Sequence, residues 1–217
     1  MNADLEVARA IPLLSPHRPS LFAALRRDCA AYKNLGGWYR HPGFWIVAVH
    51  RLGMWAHTLP FIFRIPVWVL YRLLRVPYFF YHVDLWAGAD GTRIGPGLCL
   101  IHPTNIMIGR RVEIGSDCLI FHDVTLGTGQ TPGNPRIGNK VDIYTGARVL
   151  GGITIGDRSM IGANCVVTHD VPPESIVLVA PSKAIPRSLS PVARNADRKA
   201  DRKAAAGAEA VAPMPPS

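Results

Sequence analysis

Cysteine is scarce in this chain, and its spacing is unhelpful for metal or disulfide chemistry. The four cysteines, Cys29, Cys99, Cys118 and Cys165, include no C-x-x-C pair among 217 residues. A zinc site, any other metal site and a disulfide framework are therefore not expected, and a reducing cytoplasmic setting is. A dense Lys/Arg block is missing too. The net charge of +9 is spread along the chain, which argues against a nucleic-acid partner and suits an anionic ligand or a negatively charged membrane surface. The opening MNADLEVARAIPLLSPHRPS has no basic stretch leading into an apolar run, so no secretory signal is expected. Nor is there an uncharged run of the ~20 residues that a membrane span requires. The nearest approach, Phe61 to Val83, carries Arg64, Arg72 and Arg75 and is interrupted by Pro66 and Pro77. It reads either as helices packed in a core or oligomer interface, or as a peripheral segment lying in the membrane interface with its arginine heads among headgroups.

What is present is apolar content of 48%, with 20 Gly and 19 Pro. That supports a sizeable core and excludes wholesale disorder, while the Gly and Pro would break a purely helical fold. Residues 1–92 form an N-terminal helical region after a loose, Pro-punctuated start. LFAALRRDCAAYKN, GFWIVAVHRLGMWAHTL and the Arg-bearing segment show apolar residues at spacings of three and four, as at Ile46, Val49 and Gly53. Four of the five Trp lie before Asp84 and are expected to pack between helices. Residues 188–217, rich in Ala, Pro and charge, read as a disordered tail.

Residues 93–187 differ in kind. An aliphatic residue returns every six positions, at Ile94, Leu100 and Ile106, then Ile108, Ile114, Ile120 and Leu126, then from Ile137 through Val167 without a slip. Neither a helix nor a simple strand presents one residue in six. The period fits a parallel β-helix of triangular section, with three hexapeptides per coil and coils roughly 4.8 Å apart. A five-residue phase slip, GTGQTPGNPRI from Gly127, must leave the solenoid as a loop, and Gly127, Thr128 and Gly129 could bring backbone N–H groups to a ligand. Cys118 and Cys165 fall at small inward positions and read as inert core filler.

Register turns the repeat into a site. His102 follows the repeat start Leu100 by two, and His122 follows Ile120 by two. Three repeats separate them, so the two imidazoles should lie side by side on the outer face, one coil apart. The same column continues through Thr145 and Ala163, polar and then small, which would leave a channel.

IGPGLCLIHPTNIMIG, IFHDVTLGTGQ and RIGNKVDIYTGARVLGGITIGDRSMIGANCVVTHDVPPES, with RRDCAAY and GFWIVAVHRLGMW upstream, resemble the serine acetyltransferases over Asp28 to Arg187. The resemblance implies a left-handed parallel β-helix with an N-terminal α-helical domain, a homotrimer, and acetyl-CoA as co-substrate. It implies His102 as catalytic base, Asp84 as the acid that orients it, Asp28 as an acceptor-binding residue, and Thr145 and Ala163 along the coenzyme A channel. His122 is then a second acid/base or a group that hydrogen-bonds the acceptor. Two departures bear on that acceptor. Ile101 stands where the family has Asp before the histidine, and Gly133-Asn134 stands where it has Arg-His before proline, leaving Asn134 at an acceptor-binding position. A zwitterion needs both its charges paired in a desolvated site, whereas a polyol does not. The expectation is therefore a sugar hydroxyl of exopolysaccharide biosynthesis, with L-serine of cysteine biosynthesis as the alternative and a catalytically inactive scaffold as a third.

Overall fold

The computed structural model describes residues 20–87 and 91–180; the tail expected at 188–217 lies outside the described residues. Helix α1 (Leu21–Ala31) opens on Ser20, whose hydroxyl accepts from the Ala23 N–H at 3.3 Å, a standard N-cap. Two short 3₁₀ turns follow, separated by Gly36 and Gly37 at φ 91° and 102°, a left-handed backbone that glycine adopts without steric cost. Helix α2 (Pro42–Ala56) begins on Pro42, where a missing N–H costs nothing. Helices α3 (Phe61–Leu74) and α4 (Val76–Tyr81) complete the region. Pro66 does not cut α3 as the sequence suggests. The break falls at Arg75, and Pro77 sits in the first turn of α4. The carbonyl deprived of a donor belongs to Ile62, an exposed residue. Among the described residues no helix is long and apolar enough to cross a membrane.

Beyond Tyr81 the described residues wind into fourteen short parallel strands in three sheets. The first sheet holds β1 (Val83–Leu85), β4 (Ile106–Ile108), β7 (Thr125–Gly127), β10 (Arg148–Leu150) and β13 (Val166–Val167). The second holds β2 (Arg93–Ile94), β5 (Glu113–Ile114), β8 (Arg136–Ile137) and β11 (Thr154–Ile155). The third holds β3 (Cys99–Leu100), β6 (Leu119–Ile120), β9 (Asp142–Ile143), β12 (Met160–Ile161) and β14 (Ile176–Val177). This is the parallel β-solenoid that the hexapeptide period requires. Strand β1 lies ten residues before Arg93, where the repeat first becomes readable, and it pairs with β4 in full register. At the corner between the second and third sheets one residue per coil turns left-handed: Gly97, Asp117, Lys140, Arg158 and Glu174, all with φ between 55° and 87°. The inward aliphatic positions from Leu100 to Val167 are buried, and so are the small ones between them, Cys118, Val124, Ala147, Ser159 and Cys165.

The helices cap the solenoid's first coil, where a sheet end would otherwise expose its ladder. Asp28 on α1 is wholly buried and takes both arms of Arg51 on α2. Arg51 then donates to the carbonyls of Ile94 and Gly95 at 3.1 and 2.8 Å, and Asp28 accepts the Gly97 N–H at 2.7 Å. Tyr32 finishes β3, its hydroxyl accepting the Leu100 N–H at 2.8 Å. Gly43 lets α2 approach closely, since a Cβ there would stand 2.2 Å from the Leu100 carbonyl.

Next to this latch, His50 is buried, and among the described residues neither ring nitrogen has a partner at good hydrogen-bond geometry. Burial, reinforced by the neighbouring Arg51, pushes its pKa down to about 3, so it folds neutral. An unfolded histidine protonates near 6.5, so the contribution is complete above that pH and is lost as pH falls towards 3. Urea titrations of wild type and His50→Leu should show the wild type losing roughly 1 kcal/mol more per pH unit below pH 6.5. Parallel pH profiles would contradict this.

Candidate active site

The paired ladders fix the outer column. Leu100 is the Cα partner of Ile120, Ile120 of Ile143, and Ile143 of Ile161. His102, His122, Thr145 and Ala163, each two residues on, therefore stack at the corner leading into the first sheet. The two imidazole centroids stand 6.4 Å apart with planes at 69°. His102 is exposed and holds a left-handed φ of 48°, its carbonyl accepting the Thr104 N–H at 2.7 Å. His122 is half-buried, with Nδ1 buried and without a hydrogen-bond partner among the described residues. The Gly146 N–H donates to the His122 carbonyl and the Asn164 N–H to that of Thr145, so backbone contacts hold the column. Beside it Asp123 receives Asn105 and Arg148, the latter at 3.0 Å.

The loop of Gly127 to Pro135 leaves from the other corner of the same sheet. With Met107, Arg110, Arg111, Thr125 and Leu150 it forms an open groove of about 530 Å³ that includes Gly127, Thr128 and Asn134. Gly127 faces free space, as a ligand-approach glycine would. Gly129 does not. A Cβ there would meet Gly151 and Leu150 at 2.8 Å, so its smallness serves contact with the protein's own backbone. The loop is laid down rather than loose: the Gly127 carbonyl accepts from Gly151 and the Thr131 carbonyl from Gly152. Arg110 was not singled out from the sequence. Register would have found it, because Ile108 pairs with Leu126 and so sets Arg110 level with Thr128. Its guanidinium lies 4.1 Å from the Trp86 ring.

Two expected site residues are engaged elsewhere. Asp84 sits on β1 opposite Met107, and its carboxylate pairs with Arg75 at 3.3 Å. No hydrogen bond or ion pair joins it to His102 among the described residues. Asp28 is consumed by Arg51 and Gly97, because a carboxylate with no exposure must be fully paired. Ile101 is half-buried against the Tyr32, Phe44 and Cys99 cluster. Cys99 and Cys118 are driven up by burial to about 11 and about 12, so neither thiol is a nucleophile near neutral pH. No group of three metal-ligating side chains occurs among the described residues.

Residues 134–169 match the bacterial transferase hexapeptide family (six repeats). The chain is 36% identical over 169 residues to the serine acetyltransferase of Helicobacter pylori strain J99, a match spanning 76% of this chain and 94% of that protein. The chain belongs to the serine acetyltransferase family. The family's enzyme from Mycobacterium tuberculosis strain H37Rv is 35% identical over 181 residues, covering 81% of this chain and 75% of that one. The match to the Synechococcus elongatus serine acetyltransferase spans only 64% of that longer protein. Among solved structures, the Neisseria gonorrhoeae serine acetyltransferase in complex with serine aligns with a TM-score of 0.58 at 29% identity, covering 76% of this chain and 68% of that one. The Brucella abortus strain S19 serine acetyltransferase in complex with coenzyme A aligns at 0.60 and 28% identity, covering 77% and 68%.

Family membership places the protein among the acetyl-CoA acyltransferases. The names of these relatives favour the L-serine alternative over the sugar acceptor read from Ile101 and Gly133-Asn134. The burial of Asp28 makes a separable prediction. Asp28→Asn should lower the thermal midpoint, since a buried pair losing one charge costs about 3–5 kcal/mol. Well below that midpoint the acceptor KM should stay within about twofold of wild type, measured by thiol release. A tenfold rise in KM with unchanged melting would return Asp28 to the acceptor site.

Proposed function

We propose that this protein transfers acetyl from acetyl-CoA to the hydroxyl of L-serine, with His102 as general base. The observation that carries the reading is the histidine pair, set by ladder register on a chain 36% identical to a serine acetyltransferase along 94% of its length. A hydroxyl is a poor nucleophile near neutral pH, and imidazole is the side chain that gains and loses a proton there. His102 takes the hydroxyl proton as the oxygen attacks the thioester carbonyl carbon. The C–O bond forms, the C–S bond of the tetrahedral intermediate breaks, and the imidazolium returns its proton to the departing sulfur. A backbone N–H holds the oxyanion. His122, 6.4 Å away, hydrogen-bonds the acceptor or shares the proton. Thr145 and Ala163 leave room for the pantetheine arm, and Gly127, Thr128 and Arg110 line a groove suited to the anionic part of the cofactor.

The chain acts as a homotrimer in this reading. Asn134 and the histidines lie at opposite corners of one sheet, so a neighbour's loop would supply Asn134 to a given His102. A second reading, a neutral hydroxyl such as a sugar's, draws support from Ile101 and the fully engaged Asp28, which leave no free carboxylate there for an ammonium group.

His102→Ala should lower kcat by roughly 10²–10⁴-fold with coenzyme A affinity retained in calorimetry. A near-wild-type rate would remove His102 from the mechanism, and no coenzyme A binding by the wild type would favour an inactive scaffold. Thiol release with L-serine beside nucleotide- and lipid-linked sugars settles the acceptor. Turnover of L-serine at millimolar concentration is expected; turnover of a sugar alone would reverse the choice.

A further inference from the structure

Helix α3 is inverted relative to an ordinary surface helix. Its inner side, carrying Arg64, Val67, Tyr71 and Arg75, is buried or half-buried. The opposite side, where a surface helix normally places its charges, carries the stripe Ile62, Ile65, Val69 and Leu73, exposed by 78, 49, 46 and 64%. Phe61, Phe63, Leu70 and Leu74 widen it, and α4 adds Val76, Phe79 and Phe80, the last two more than three-quarters exposed. A contiguous apolar surface of this kind marks an interaction site.

Its charge identifies the partner. From Phe61 to Val83 there are three arginines and no acidic residue. Arg72 lies 5.1 Å from the Trp68 ring, at the edge of the apolar stripe. Arg64 and Arg75 face inward, so Arg72 is the arginine at the edge of the stripe; aromatic and aliphatic side chains with a basic edge and no acidic residue suit a helix lying in the headgroup layer of an anionic bilayer. Spanning is excluded for this helix, since its 14 residues reach about 21 Å against a hydrocarbon core of about 30 Å. We propose that α3 and α4 form a docking surface for anionic membranes, with Ile62, Ile65, Val69 and Leu73 inserted and the exposed Arg72 paired to lipid phosphate. This surface is independent of the acceptor's identity.

Sedimentation of the full chain with vesicles tests it. Binding to phosphatidylglycerol-containing vesicles is expected, weakening at least tenfold with pure phosphatidylcholine or in high salt. The triple variant I62E/V69E/L73E should lose binding while keeping the wild-type mass and acetyl-transfer rate. Should that variant misfold, quenching of wild-type Trp fluorescence by brominated lipid, reduced in Trp68→Phe, supplies the same test. No binding to either vesicle type, or no quenching, would overturn the proposal. So would a fall in oligomer mass in the folded triple variant, which would make the face an interface between copies of the chain.

Discussion

One contact, repeated from coil to coil, organises the solenoid: an aliphatic side chain resting on the equivalent side chain one turn away. Leu100, Ile120, Ile143, Ile161 and Val177 form such a column, each the Cα partner of the next. Burying each of the first four, which are fully enclosed, stabilises by roughly 1.5–3 kcal/mol, and the parallel ladder satisfies the backbone between them. A one-residue slip would turn the whole set outward, so the register is strongly specified. The outer face inherits that precision. His102 and His122 meet because Leu100 and Ile120 do, and a residue on a corner is as well placed as the core column it follows.

A stack of coils has open ends, and the first is closed by polar groups rather than by apolar cover alone. The Asp28–Arg51 pair, buried at the junction of two helices and the first coil, has every charged atom directed at a partner or a carbonyl. Such a pair contributes little net stability against an apolar substitute, but losing one member is costly. It therefore fixes how the helical region sits on the coil. It also engages the acidic residue that the family resemblance assigns to the acceptor.

The solenoid, its histidine column and its buried cysteines were legible in the sequence because a period of six is unambiguous and register is arithmetic. β1 was not, since a single strand ahead of the repeats has no periodicity to announce it. The partners of Asp84 and Asp28 were not legible for a common reason: a motif names a residue, whereas its partner depends on which charge lies nearest after folding, here Arg75 and Arg51. The four tryptophans before Asp84 were expected between helices, yet Trp38, Trp45, Trp55 and Trp68 are all more than a third exposed. Helical spacing shows which residues share a face and leaves open whether that face meets protein.

The central claim is that the histidine column is the reaction centre and the acyl donor reaches it along the small residues below. A crystal structure of the full chain with coenzyme A tests this most directly. The account predicts the thiol within hydrogen-bond reach, about 3 Å, of the His102 ring, with the pantetheine arm passing Thr145 and Ala163. A thiol seated instead in the second sheet's direction, beyond Gly127 and away from every copy of His102, would contradict it.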